Sequence, residues 1–153
     1  MAVIKEIENS SILAIDTSIL IYYMEKHDKY YLLIEDIFEK CSSQAKDFKL
    51  ITSTISLMEV LVKPIRDNKN ELVAKYQDIL LASENVFVIM IDLNIARKAA
   101  ELRAKYNFLR SPDAIQLATA ISTSAEYFIC NDKKLKNISE IKCLILDDLL
   151  IKV

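Results

Sequence analysis

The sequence predicts an α/β fold in three layers, a central parallel sheet of about five strands flanked by helices. Two observations carry that expectation. Short apolar runs alternate from end to end with segments of helical periodicity. Strands separated by helices need crossover connections, which set them parallel and cover both faces of the sheet. Size agrees: 153 residues, 52% of them hydrophobic, suffice to bury a core, and no linker, repeat or low-complexity tract divides the chain. Residues 1–153 therefore read as a single domain.

The elements follow in order. Ser11 to Ile15 is a first strand, followed at once by Asp16-Thr17-Ser18 and an apolar helix through Met24. Tyr30, Leu33, Ile34, Ile37, Phe38 and Cys41 recur at threes and fours and mark an amphipathic helix. Leu50 to Thr52 is a second strand, and the helix after it carries Glu59. Pro64 should kink or end that helix, leaving Lys63, Arg66 and Lys69 exposed. Leu72, Tyr76, Ile79 and Ser83 share one face of the next helix. Val86 to Met90 is a third strand, and Ile95, Ala99, Leu102 and Tyr106 form another helical stripe. Ser111-Pro112-Asp113 opens a helix with Ser111 as its N-cap and proline in the first turn. Tyr127 to Cys130 and Cys143 to Leu146 complete the strands.

Composition narrows the chemistry. The chain has 22 acids against 20 bases, a net charge of −2, so any basic footprint for nucleic acid must be local. Glycine is absent, which excludes glycine-rich phosphate loops and the dinucleotide fingerprint. Cys41, Cys130 and Cys143 have no zinc-like spacing and read as reduced thiols. Met1 to Glu8 has no signal-like apolar run, and no segment approaches the ~20 apolar residues of a membrane helix. A cytoplasmic protein is expected. His27 is the single histidine and lies in the polar stretch Glu25 to Lys29, where a solvated loop residue is expected rather than a catalyst.

What remains is a set of carboxylates where strands hand over to helices: Asp16, Glu59, Asp113 and Asp132. Each has a structural explanation. Asp16 and Asp132 can cap the turns after their strands, with Thr17 and Ser18 as equally able caps. Glu59 can complete a capping box with Ser56. Asp113 sits in a first turn, where the helix dipole favours negative charge. Their joint placement argues for more. In α/β sheets ligands bind outside the carboxyl ends of the strands. Acids gathered there repel one another, and a divalent cation removes the conflict. Oxygen-only donors suit magnesium or manganese.

Four stretches carry a family resemblance: Asp16-Thr17-Ser18, Ser56 through Pro64, Ser111 through Ala120, and Asn131-Asp132. In that order, across nearly the whole chain, the sequence resembles the PIN-domain ribonucleases, and more narrowly the VapC-type toxins. Two departures stand out: Cys130 where relatives often have threonine, and Gln116 in place of a frequent histidine. The resemblance implies a PIN-like fold and a Mg2+- or Mn2+-dependent endoribonuclease. Asp16, Glu59, Asp113 and Asp132 match its catalytic and metal-holding positions, with Thr17, Ser18 and Asn131 in support. It implies phosphodiester hydrolysis of single-stranded or loop RNA, with one or two divalent ions acidifying water and offsetting phosphate charge. Lys63, Arg66, Arg110 and Lys133 are candidate RNA-phosphate contacts, with Lys105, Lys134 and Lys136 behind them. A small antitoxin protein and a homodimer are family-level expectations, and no membrane partner is expected. The competing reading is a catalytically weak PIN-like protein acting as an RNA- or protein-interaction module. A haloacid-dehalogenase-type phosphatase needs Asp-x-Asp, and position 18 is serine; a receiver domain needs its acidic pair early, whereas Asp147-Asp148 comes late.

Overall fold

The structure, a computed structural model, describes residue 7, residues 10–43 and residues 48–151. Apart from Ile7, the leader-free segment expected over Met1 to Glu8 lies outside the described residues, as does the Cys41 side chain. In chain order the elements are β1 (Ile12–Ile15), α1 (Thr17–Met24), α2 (Tyr31–Ser43), β2 (Lys49–Ser53), α3 (Thr54–Arg66) and α4 (Asn70–Gln77), which runs into a π-helical turn (Asp78–Ala82). There follow β3 (Val86–Ile89), α5 (Leu93–Lys105), α6 (Ser111–Ser122), β4 (Tyr127–Cys130), a 3-10 turn (Lys133–Asn137), β5 (Lys142–Ile145) and α7 (Leu146–Ile151).

All five strands are parallel, in the order β3-β2-β1-β4-β5. Leu13 of β1 pairs with Leu50 on one side and Tyr127 on the other. The period-two alternation of strands then divides the apolar residues between two faces. Leu13, Ile15, Leu50, Ile129 and Leu144 bury one core with Ile19 and Leu20 of α1, Ile34 and Ile37 of α2, Val60 of α3 and Leu149 of α7. Ala14, Ile51, Phe128, Cys130 and Ile145 bury the other with Ile95 and Leu102 of α5 and Leu117 of α6. These are the three layers the sequence predicts. Among the described residues no helix is long and apolar enough to cross a membrane.

The strand order fixes where a site belongs. From β1 the chain winds outward through β2 and β3, then returns to lay β4 on the opposite side of β1. The junction between β1 and β4 is the topological switch point, where the following loops diverge and leave a crevice at the carboxyl edge.

Several local expectations need correction. Ser111 is the first residue of α6, and Arg110 is the cap: its carbonyl accepts the Ala114 N–H, while Ser111 Oγ accepts from the Arg103 guanidinium at 2.9 Å. Pro64 neither ends nor replaces the last turn of α3, which runs to Arg66 and closes when the Lys69 N–H reaches the Pro64 carbonyl. Lys63, Arg66 and Lys69 are exposed as expected. The stripe through Leu72, Tyr76 and Ile79 packs on the first core, but the π turn interrupts the helix and Ser83 lies beyond it. β5 is shifted by one residue, because Leu146 opens α7. His27 is in a loop but half-buried, its ring 4.8 Å from those of Tyr22 and Tyr30.

With no glycine to use, three helices end on other residues in the left-handed region: Lys26 after α1 (φ 50°), Asn68 after α3 (φ 54°) and Ser124 after α6 (φ 58°). In each case the N–H of that residue and the N–H of the next turn back onto carbonyls of the last helical turn.

Candidate functional site

β1 ends at Ile15, and the chain leaves the sheet with the Asp16 N–H still donating to the Ile129 carbonyl of β4 at 2.9 Å. That bond holds Asp16 at the switch point. Asp16 occupies the N-cap position of α1, yet its side chain caps nothing there. Its Oδ2 instead accepts from the Ser18 hydroxyl at 2.8 Å. Burial pushes the Asp16 carboxyl above the usual carboxylate range, and the negative charge of Asp113 pushes it the same way. The hydrogen bond from Ser18 and backbone donors oppose the rise without cancelling it.

Asp113 is brought to Asp16 by α6, whose buried face of Ala114, Leu117 and Ala118 seats the helix on the sheet. It lies in the first turn, where the helix dipole favours its charge. The Arg110 guanidinium donates to Asp113 Oδ2 at 3.2 Å from a largely exposed position.

Glu59 does not take part in a capping box. The N-cap of α3 is Ser53, which accepts the Ile55 N–H at 3.2 Å, so Ser56 lies inside the helix and points into the core. Glu59 Oε1 accepts from the Thr17 hydroxyl at 3.0 Å, which ties α3 to the residue next to Asp16. Beside it lies a cavity of about 330 Å³ that Glu59, Lys63, Lys69 and Tyr76 help to line.

Asp132 stands apart. It is exposed, and its Oδ1 accepts the Lys134 N–H at 3.0 Å, capping the 3-10 turn. Its neighbour Asn131 is the better-held residue: its amide donates to Tyr30 Oη at 2.9 Å and its carbonyl accepts the Asp147 N–H at 3.2 Å. Tyr30 Oη donates to Asp147 Oδ1 at 2.8 Å, and Lys29 Nζ lies 2.6 Å from the same oxygen. The loop after β4 is thereby pinned to Tyr30, just before α2, and to α7. Sequence reading assigned no part of the site to Tyr30 or Asp147, although Asp147 also follows a strand end.

Of the basic candidates, Arg110 is at the acids, Lys63 lies 3.8 Å from Glu25, and Arg66 and Lys133 are exposed. Lys105 and Lys136 are engaged elsewhere, with Glu140 and Asp148.

The structure thus brings Asp16 and Asp113 together, joins Glu59 to them through Thr17, and leaves Asp132 at the rim. The donors are all oxygen, and burial and the charge of Asp113 both disfavour the ionised form of Asp16, which fits a hard divalent cation. Among the described residues, no group of three or more His, Cys, Asp or Glu side chains converges tightly enough to hold an ion as they stand. Asp113 Oδ2 accepts from Arg110, and Asp132 Oδ1 accepts from the Lys134 N–H.

The family profile described as PIN domain matches residues 13–141. No curated protein sequence matches the chain significantly. Among solved structures it is similar to VapBC2 from Rickettsia felis bound to a DNA fragment from their promoter. That likeness has 24% identity and a TM-score of 0.67 over 88% of this chain and 98% of that one. It is similar to VapBC-1 from nontypeable Haemophilus influenzae at 21% identity and a TM-score of 0.67, covering 89% and 98% of the two chains. It is also similar to VapC20 of Mycobacterium tuberculosis, a sarcin-ricin loop cleaving toxin, at 16% identity and a TM-score of 0.65, covering 85% and 98%.

Proposed function

Because this chain belongs to the PIN domain family, we propose that it is a divalent-metal-dependent endoribonuclease, the toxin of a VapBC-type toxin–antitoxin pair. The observation that carries the proposal is the Asp16–Asp113 pair at the switch point, where burial and the charge of Asp113 leave Asp16 with a demand for positive charge. In this reading Asp16, Glu59 and Asp113 hold Mg2+ or Mn2+, and Asp132 contributes from the rim. When bound, the cation supplies positive charge against the scissile phosphate and acidifies water.

The chain's own residues orient the reactants. Ser18 fixes one oxygen of Asp16 at 2.8 Å, and Thr17 fixes one of Glu59 at 3.0 Å, so each carboxylate keeps its second oxygen for the site. Arg110, largely exposed beside Asp113, would be the first cation to meet a phosphate of the RNA backbone. Lys63, Arg66 and Lys133 extend the path of the strand. Asn131 supports the loop that carries Asp132.

The reading takes residues 1–153 as a single PIN-like domain working in the cytoplasm. An unrestrained ribonuclease harms its host, so a small antitoxin would cover the acids, inserting Arg or Lys among them. That two of the similar structures are named as VapBC supports such a partner here. Homodimer formation is part of the same proposal.

The test is cleavage of a mixed RNA by the purified chain with Mg2+ or Mn2+, and its loss in EDTA. Equal cleavage in excess EDTA overturns the metal mechanism. One observation favours a second reading, an interaction module with feeble catalysis: Arg110 already pairs with Asp113. Direct Mn2+ binding separates the two, because a module of that kind has no need of the metal.

A further inference from the structure

We infer that Gln116 is a positioning residue for Glu59, acting through a one-way chain of hydrogen bonds in which Ser56 and Thr17 are the links. This rests on the reading of Glu59 as a metal-holding carboxylate. Thr17, Thr52, Ser53, Ser56 and Gln116 are all buried where β1 and β2 end, and Gln116 is only 3% exposed. A buried polar cluster is destabilising unless every member is satisfied, and satisfaction here leaves a single arrangement of hydrogens.

The arrangement starts at Ser53. Its Oγ accepts the Ile55 N–H, and its own hydrogen has Gln116 Oε1, at 3.0 Å, as its side-chain acceptor. That orients the amide, with its oxygen toward Ser53 and its NH2 toward α1 and α3. The two amide hydrogens go to Thr17 Oγ1 at 3.1 Å and to Ser56 Oγ. Ser56 Oγ also accepts from Thr52 at 2.7 Å, which fills both its lone pairs. Its hydrogen must therefore go to its remaining partner, Thr17 Oγ1, at 2.8 Å. Thr17 now accepts twice, from Gln116 and Ser56, and its hydrogen has one destination: Glu59 Oε1 at 3.0 Å.

The amide sets the direction. A hydroxyl chain alone could reverse, but Gln116 donates into it at two points and cannot accept there. Glu59 Oε1 is thus held as an acceptor, its second oxygen is left for the site, and the rotamer is fixed before any cation arrives. Groups that orient a metal ligand in this way are typically worth ~10–100-fold in metal affinity or activity.

The experiment uses the full chain and Mn2+ as the probe, read by electron paramagnetic resonance, with RNA cleavage and metal-free melts alongside. The variants are Gln116→Met, Glu59→Gln and the double variant. Gln116→Met is expected to weaken Mn2+ binding about tenfold, and the double variant to bind no more weakly than Glu59→Gln alone, because both changes break one coupling. Wild-type Mn2+ affinity in Gln116→Met overturns the inference, and so does a double variant whose loss is the product of the single losses. Should Gln116→Met fail to fold, Thr17→Val, which deletes the last link, is read against Glu59→Gln by the same criteria. If Glu59→Gln itself leaves Mn2+ binding intact, the metal role of Glu59 fails, and the inference goes down with it for that separate reason.

Discussion

The negative charge of Asp113 disfavours ionisation of Asp16, although the two residues belong to different layers of the fold. Burial acts on Asp16 in the same direction and more strongly. The folded protein therefore holds the Asp16 proton more tightly than the unfolded chain does. Stability contributed by Asp16 falls as pH rises from 3.8 through the folded value, and the penalty is complete above it. At neutral pH without metal the fold carries a carboxylate it would be more stable without.

Asp113→Asn separates a functional acid from a helix-start residue. The change removes repulsion on Asp16 at nearly constant volume. It gives up the dipole interaction, ~0.3–1 kcal/mol, and the exposed contact with Arg110, which is typically worth less than ~1 kcal/mol. The metal-free variant is expected to melt at the same temperature as the parent or higher, while Mn2+-induced stabilisation and RNA cleavage both fall sharply. Paired melts with and without Mn2+ and one cleavage assay decide it. A variant that melts clearly lower yet cleaves normally reduces Asp113 to a structural role.

Ser124 closes α6 with φ of 58°, and its N–H reaches the Ile121 carbonyl. A side chain in the left-handed region costs ~1–2 kcal/mol, whereas the extra freedom of glycine in the unfolded chain costs ~0.5–1 kcal/mol. Ser124→Gly should therefore stabilise the protein by ~0.5–1 kcal/mol, about 1–4 °C in melting temperature at this size. A drop in melting temperature would show that the Ser124 side chain contributes more than the backbone strain removes.

Glu140 offers a test by acid. Burial alone would raise its carboxyl, but hydrogen bonds from Lys105 at 2.7 Å and Tyr106 at 2.9 Å outweigh it and bring it down to about 2. The stabilisation is fully present above the unfolded value of 4.5 and is lost as pH falls from there through about 2. Lys105 is more than half exposed, so the contact is worth ~0.2–1 kcal/mol. Glu140→Gln should lower the melting temperature at pH 7 and leave it unchanged near pH 2. A constant difference at both pH values would assign the effect to packing.

The layers were legible because each rests on a local period. Leu13 and Ile15 alternate with Ala14 in β1, and that alternation alone divides the two cores. Helix ends were less so. A serine before proline reads as a cap, but the Arg110 carbonyl was already in place to accept Ala114, and the Ser111 hydroxyl answered to Arg103 from α5. Pro64 lies inside α3, which runs two residues further to Arg66, and Asn68 takes the left-handed turn beyond it.

In the site, Asp16 was legible from its position after a strand. Its pairing with Asp113 depends on how α6 seats on the sheet, which no local pattern specifies. Gln116 registered only as a departure from a family pattern. A signal was present: a lone amide on the apolar face of Ala114, Leu117 and Ala118, with Thr52, Ser53 and Ser56 waiting at a strand end. A serine early in a helix looks the same whether it caps that helix or faces the core, which is why a capping box from Ser56 to Glu59 stands as a structural alternative in the sequence.

Asp132 serves as a cap in the structure, and its place at the rim leaves room for a second role. Serine can accept the Lys134 N–H as Asp132 Oδ1 does now at 3.0 Å, but it carries no charge. Asp132→Ser thus retains the cap and removes the carboxylate, and the metal-free melting temperature should stay within about 2 °C of the parent, the effect of ~0.5 kcal/mol. Cleavage should fall about tenfold, the lower end of what outer residues of a metal site contribute. Asp16→Asn should cost far more, since it strikes the carboxylate at the switch point itself. The comparison requires rates for both variants across a range of Mn2+ concentrations. If Asp132→Ser cleaves like the parent at every concentration, the acid after β4 is a turn residue and the working set reduces to Asp16, Glu59 and Asp113. If it loses as much as Asp16→Asn, the exposed carboxylate must swing inward from the 3-10 turn when metal and RNA are bound.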